Sequence, residues 1–190
     1  MQRRGLVILG MQQGMVGAGS PLRDGPSNLD DAVSATIQLM DHESWSLAAH
    51  VSMVLNEDNQ AHFTEAEASL AAVGLVHADD PASALDASIL RAQRNCLYLQ
   101  ANPGRDAFRG SRLDQVLTDH HIGQVVMIGP TIGGMLDATC RTAYSLGYEV
   151  LVPSDCLVAS SPQELQVYVE TVLGAYVRVV TSGDLMGVDS

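Results

Sequence analysis

The chain has 190 residues, and 46% of them are hydrophobic, which predicts a single domain over 1–190 with a sizeable core. Its formal net charge is −12, and all ten basic residues are arginine. A chain this acidic is not expected to bind nucleic acid or an anionic membrane surface. No apolar run is long enough to cross a bilayer, so we expect no membrane partner.

The cysteines and the N-terminal segment indicate in which cellular compartment the protein resides. Three cysteines without C-x-x-C spacing predict reduced thiols. Arg3 and Arg4 precede an apolar run, as in a signal peptide, but that run ends at Gly10 and is too short for an h-region. We therefore expect a cytoplasmic protein.

Strand and helix patterns alternate along the chain. The predicted strands are buried apolar runs at 6–9, 45–55, 96–100, 125–128, 149–152 and 175–181. The predicted helices are amphipathic patterns at 30–40, 64–72, 84–90, 113–117, 136–146 and 165–173. This alternation predicts a three-layer α/β/α fold with a six-stranded, mostly parallel sheet.

The stretch 124–156 predicts where a site would lie. A buried strand ends at a glycine-rich turn, and a helix ending at Gly147 and another strand follow. These elements form one right-handed crossover of a parallel sheet. Ligands of such sheets bind outside the carboxyl ends of the strands, so residues 129–135 are expected at the site.

The same stretch resembles the isochorismatase-like cysteine hydrolases. The positions that match the family pattern here are Gly129, Thr139, Ala143, Gly147, Tyr148 and Asp155. Met11 and Gln12 match the end of the family's D-M-Q, and Ala107 and Phe108 match the end of its K-x-x-x-S-A-F. The resemblance covers nearly the whole chain, and it implies the α/β fold and a homo-oligomer of two or more subunits.

The resemblance also places the family's three catalytic residues. Its nucleophilic cysteine falls on Met135, its general base aspartate on Gly10 and its lysine on Asn102. A thioether cannot form a thiolate, glycine cannot accept a proton, and a neutral amide stabilises developing charge weakly. The resemblance therefore predicts a lost triad, although Gly10 alone is also explained by a turn with close backbone approach.

Other residues are candidates for a changed site. Arg105 and Asp106 could recognise a carboxylate or carbonyl or transfer a proton, or they could form a surface ion pair. His50 could face the pocket or be a hydrogen-bonded core histidine. Asp58 and His62 do not have the spacing of the family's metal pair, so we expect no metal and no cofactor.

The residues predicted to contact a ligand follow from these assignments. They are Met11, Gln12, His50, Phe108, Thr131 and Gly134. The backbone N–H groups of Gly134 and Met135 open a helix and could bind an anion. The family also has a non-proline cis peptide before its nucleophile loop, so a cis or strained bond is expected at 129–131.

Three functional hypotheses follow. In the first, a small metabolite binds in the former active-site pocket, where the protein promotes non-thiol chemistry such as isomerisation, cyclisation or acid–base catalysis. In the second, the protein is a pseudoenzyme, either a ligand sensor or a scaffold subunit. A pocket lined by Met11, Phe108 and Met135 would favour ligand binding, and a flat face without charges would favour the scaffold. In the third, a relocated residue such as Cys140 or Cys156 catalyses hydrolysis, although both read as core residues.

Overall fold

The computed structural model describes residues 2–24, 27–42, 45–54, 81–92, 96–101, 106–131 and 135–187. These residues contain one six-stranded sheet in the order β3-β2-β1-β4-β5-β6, and every neighbouring pair is parallel. The strands are β1 Arg3–Leu9, β2 Leu47–Met53, β3 Cys96–Ala101, β4 Ile122–Ile128, β5 Glu149–Pro153 and β6 Arg178–Val180. The predicted fold class is confirmed.

Helices cover both faces of this sheet. The described α-helices are α1 Gln13–Val16, α2 Leu29–His42, α3 Ala87–Ala92, α4 Leu113–Asp119, α5 Met135–Ser145, α6 Pro162–Val167 and α7 Ser182–Met186. The helix predicted over 165–173 is divided into α6 and a π-helical turn, Tyr168–Leu173. It begins earlier than predicted because Ser161 caps its first turn and Pro162 starts it. The helix predicted over 64–72 lies outside the described residues.

The core has two layers, because successive side chains of a strand point to opposite faces of the sheet. The α5 layer includes Val7, Leu9, Val51, Met127, Val152, Leu113, Leu117, Leu136, Cys140 and Leu173. The α2 layer includes Leu6, Ile8, Val126, Ile128, Leu151, Leu29, Ala32, Leu39, Ile89 and Leu185. Residues 6–9 of β1 are buried on both faces, as the continuous apolar run predicted.

The strand order reverses beside β1. The chain moves from β1 outward to β2 and β3, and then returns to place β4 on the other side of β1. The crevice at such a topological switch point, outside the carboxyl ends of the strands, is the usual ligand position in open α/β sheets. Residues 10 and 129–131 follow β1 and β4 and therefore lie at this crevice.

The expected cis or strained bond at 129–131 is wrong for the described residues. They contain no cis peptide, and no residue from 128 to 131 has a positive φ. The turn is instead extended, because Pro130 pairs with Val158 in a parallel bridge. The Thr131 N–H donates to the Val158 carbonyl at 2.8 Å, and the Val158 N–H donates back to the Gly129 carbonyl at 3.4 Å.

No helix in the described ranges combines the length and the apolar character needed to cross a membrane.

Candidate functional site

Gly10 and Met135 face each other across the switch point. Gly10 follows β1 with a φ of 61° and donates its N–H to the Val51 carbonyl at 3.0 Å. A Cβ at Gly10 would lie 3.9 Å from Met135 Sδ and 4.0 Å from Pro130 Cδ. A side chain at position 10 would therefore contact the side chain at position 135. The structure brings these two predicted site positions together.

The loop at 106–108 binds along α5. Thr139 Oγ1 accepts a hydrogen bond from the Ala107 N–H at 2.9 Å, and Thr142 Oγ1 donates to Asp106 Oδ2 at 2.8 Å. Asp106 Oδ1 accepts from the Phe108 N–H at 3.0 Å. Both Asp106 oxygens therefore hold this loop. Thr142 is seven residues beyond Met135, roughly 10 Å along the helix axis, so Asp106 is displaced from the first turn of α5.

Phe108 and Met11 do not form one wall with Met135. The Phe108 ring stacks on Tyr148, with 6.4 Å between the ring centroids, beyond the C-terminal end of α5. Met11 is fully buried in the α2 layer, whereas Met135 packs in the α5 layer. The pocket expected between these three side chains is therefore not assembled in the described structure.

The amide of Gln12 is engaged with the backbone. Its Nε2 donates to the Met53 carbonyl at 3.2 Å and to the Ser83 carbonyl at 2.9 Å. Its Oε1 accepts from the Met53 N–H at 3.2 Å, and the side chain is almost fully buried. Gln12 thus joins the end of β2 to the turn before α3.

His50 lies in the core. Its position in β2 directs it to the face opposite Ala49 and Val51, which belong to the α5 layer. Burial lowers the pKa of His50 to about 3, so the ring is neutral. Nδ1 lies 3.3 Å from Ser52 Oγ, and Nε2 has no hydrogen-bond partner within the described structure.

Thr131 contacts a carboxylate that the sequence analysis missed. Its Oγ1 donates to Glu164 Oε1 at 2.7 Å, and Glu164 Oε2 accepts from the Ser160 N–H at 3.0 Å. Partial burial opposes ionisation, but the hydrogen bonds from Ser160 and Thr131 hold the pKa of Glu164 below its usual value. The S-x-x-E pattern beginning at Ser161 could have identified Glu164 as a capping residue, but not its contact with Thr131.

The three thiols are not positioned as alternative nucleophiles. Cys140 is fully buried in the α5 layer, its Sγ 3.5 Å from Met127 Sδ, and burial raises its pKa. Cys156 is fully buried in the α2 layer, where burial raises its pKa to about 12. Burial also raises the pKa of Cys96, in β3, to about 11. All three thiols are therefore protonated at neutral pH.

Several predicted residues are beyond what the structure describes. Asn102, Arg105 and Gly134 lie outside the described residues, as do Asp58 and His62. Among the described residues, no group of His, Cys, Asp and Glu side chains could hold a metal ion.

Comparisons with known proteins agree with this fold. An isochorismatase domain model matches residues 4–184. No curated protein matches the chain significantly.

Solved structures of similar proteins cover nearly the whole chain. A cysteine hydrolase from Pseudomonas syringae pv. phaseolicola has 15% identity and a TM-score of 0.81, covering 97% of this chain and 91% of its own. An isochorismatase family protein from Desulfovibrio vulgaris has 20% identity and a TM-score of 0.79. The match covers 99% of this chain and 98% of that protein. An isochorismatase-like hydrolase from Alkaliphilus metalliredigens has 16% identity and a TM-score of 0.77. The match covers 98% of this chain and 97% of that protein. At these identities the likeness is one of fold.

Proposed function

The chain belongs to the isochorismatase family, and we propose that it has lost the cysteine-dependent hydrolase activity and binds a small metabolite at the switch point of its sheet. The observation that carries this proposal is the contact between positions 10 and 135. A Cβ at Gly10 would lie 3.9 Å from Met135 Sδ, so side chains at these two positions would touch, as a base and the nucleophile it activates must. Neither residue can hold or transfer a proton.

The rest of the chain supports this proposal. Asn102, on the family's lysine position, is neutral, and the sequence contains no lysine that could replace it. The buried, protonated thiols of Cys140 and Cys156 belong to the two core layers and not to the crevice. A hydrolase with a relocated cysteine is therefore the least supported of the three hypotheses.

The chemistry left to such a site depends on orientation. A bound metabolite would be held by apolar contacts with Met135 and by backbone N–H groups at the start of α5, an eleven-residue helix. Isomerisation or cyclisation can be accelerated by holding reacting atoms in place without a covalent intermediate. Arg105 remains our candidate for charge recognition, whereas Asp106 acts by holding the loop on α5.

A non-catalytic role is the second candidate. This role is favoured by Gln12 and Asp106, because their polar side-chain atoms form hydrogen bonds within the protein. Such a site could bind a metabolite as a sensor without converting it. Release of the retained molecule chemically unchanged would distinguish this role from catalysis.

The decisive experiment compares the native chain with a variant whose site is blocked. Native mass spectrometry after incubation with a metabolite extract should show a retained small molecule, and Met135→Trp should abolish retention by placing a bulkier side chain beside Gly10. Cys140→Ser should retain the molecule, because Cys140 lies in the core. Iodoacetamide should leave any turnover intact. A covalent acyl adduct on any cysteine, or inhibition by iodoacetamide, would refute the proposal.

Two further parts of the proposal concern assembly and location. We infer self-association from the family resemblance, and sedimentation showing a strict monomer at high concentration would contradict it. We place the protein in the cytoplasm, and its three free cysteines support a reducing compartment.

A further inference from the structure

A second groove lies at the opposite end of the sheet from Gly10. It is formed at the amino ends of β1 and β4 and the C-terminal ends of α4 and α5, and its volume is about 580 Å³. That volume falls within the ~300–1,000 Å³ of small-molecule sites. Arg3, which lines it, is seven residues from Gly10 along β1, roughly 20 Å at the rise of a strand.

Arg3 and His121 line the groove, and both can donate hydrogen bonds to an anion. Arg3 is exposed, and among the described residues no carboxylate forms an ion pair with it. His121 is also exposed and lines the same groove. A guanidinium donates two parallel hydrogen bonds to a carboxylate, which gives both affinity and orientation.

The remaining wall is apolar and fixed in place. Leu146 is 51% exposed and offers apolar surface to a ligand in the groove. The ring of Tyr148 stacks on Phe108, and its hydroxyl donates to Asp114 Oδ1 at 2.9 Å. The aromatic wall is therefore held in one orientation before any ligand arrives.

Gly147 lines the groove just beyond the last residue of α5. Gly147 has a φ of 91°, and a Cβ there would have no atom within 4 Å. The end of α5 is capped there, since the Gly147 N–H donates to the Tyr144 carbonyl and the Tyr148 N–H to the Ala143 carbonyl. The negative end of the α5 dipole still faces this region, so an anion in the groove depends on Arg3 for its affinity.

We propose that this groove binds a small carboxylate that carries an apolar or aromatic body. The carboxylate contacts Arg3 and His121, and the body covers Leu146 and Tyr148. Asp114 and Asp119 on α4, in a chain of net charge −12, disfavour ligands with several negative charges. The groove therefore selects a monoanion. This proposal is independent of the function proposed for the switch point.

Calorimetric titration with benzoate and its neutral isostere benzamide tests the proposal. Benzoate should bind at least tenfold more tightly than benzamide, because only benzoate presents a carboxylate to Arg3. Arg3→Gln should weaken benzoate binding at least tenfold. Arg91→Gln is the matched control, since it removes the same charge from α3 on the other face of the sheet.

Two more variants separate the groove from the switch point. Leu146→Ser should weaken both probes, because it removes the apolar wall, while Met135→Trp should leave benzoate binding unchanged. Thermal unfolding of each variant establishes that it folds. The proposal is overturned if benzoate fails to bind at tens of millimolar, if Arg3→Gln binds it as the native chain does, or if Met135→Trp abolishes binding.

Discussion

Replacing Gly10 by alanine separates backbone strain from crowding at the switch point. The left-handed φ of 61° costs an L-residue about 1–2 kcal/mol relative to glycine. The loss of unfolded-state freedom offsets about 0.4–1 kcal/mol of this cost. Steric crowding adds little, because the new Cβ would lie 3.9 Å from Met135 Sδ and 4.0 Å from Pro130 Cδ. The expected net destabilisation is about 0–1.6 kcal/mol.

Gly129→Ala is the matched comparison on the neighbouring strand end. There a Cβ would lie 2.8 Å from the Leu9 carbonyl oxygen, which is backbone and cannot rotate away. Forced repacking of this kind costs about 1–3 kcal/mol or more, so Gly129→Ala should be the less stable variant.

Urea unfolding measures the free energy of unfolding of both variants, provided that the m-value is the same for each. A larger loss for Gly10→Ala than for Gly129→Ala would refute the reasoning. It would mean that strain or crowding at position 10 is greater than its φ and the 3.9 Å and 4.0 Å separations indicate.

Three other measurements test the described contacts. Lowering the pH from 7 to 5 should cost about 2 kcal/mol of stability, because the folded pKa of His50, about 3, lies below its unfolded value. In urea titrations, His50→Phe should flatten this dependence of the unfolding free energy on pH. Thr139→Val should destabilise by about 1–3 kcal/mol, because it leaves the buried Ala107 N–H without an acceptor, and a loss under 0.5 kcal/mol would contradict that bond. Cys140 and Cys156 should resist iodoacetamide at neutral pH in the folded state, and intact mass would reveal any labelling.

The sheet could be predicted because its strands are distinctive in the sequence. Val7 and Ile8 stand in a continuous apolar run, which is typical of a strand covered on both faces, and 125–128 repeats the pattern. Strands that alternate with helices leave few arrangements other than a parallel sheet.

The lining of the site could not be predicted in the same way. Strand alternation from Leu9 would direct Met11 into the α5 layer, but the left-handed conformation of Gly10 ends the alternation and Met11 enters the α2 layer. Asp106 was visible as a charge, yet its partner Thr142 lies 36 residues further along the chain. Contacts between such distant residues leave no local pattern.

The amide of Gln12 joins the two ends of the chain segment between β2 and α3. Because one Nε2 bonds both the Met53 and Ser83 carbonyls, the two ends of that segment are fixed to the same point of the scaffold. Loop closure cost grows only slowly with length when the ends are already close. We therefore expect the sheet to tolerate a segment of different length here without a change in strand register. This position is where we would graft a foreign peptide or begin a circular permutation.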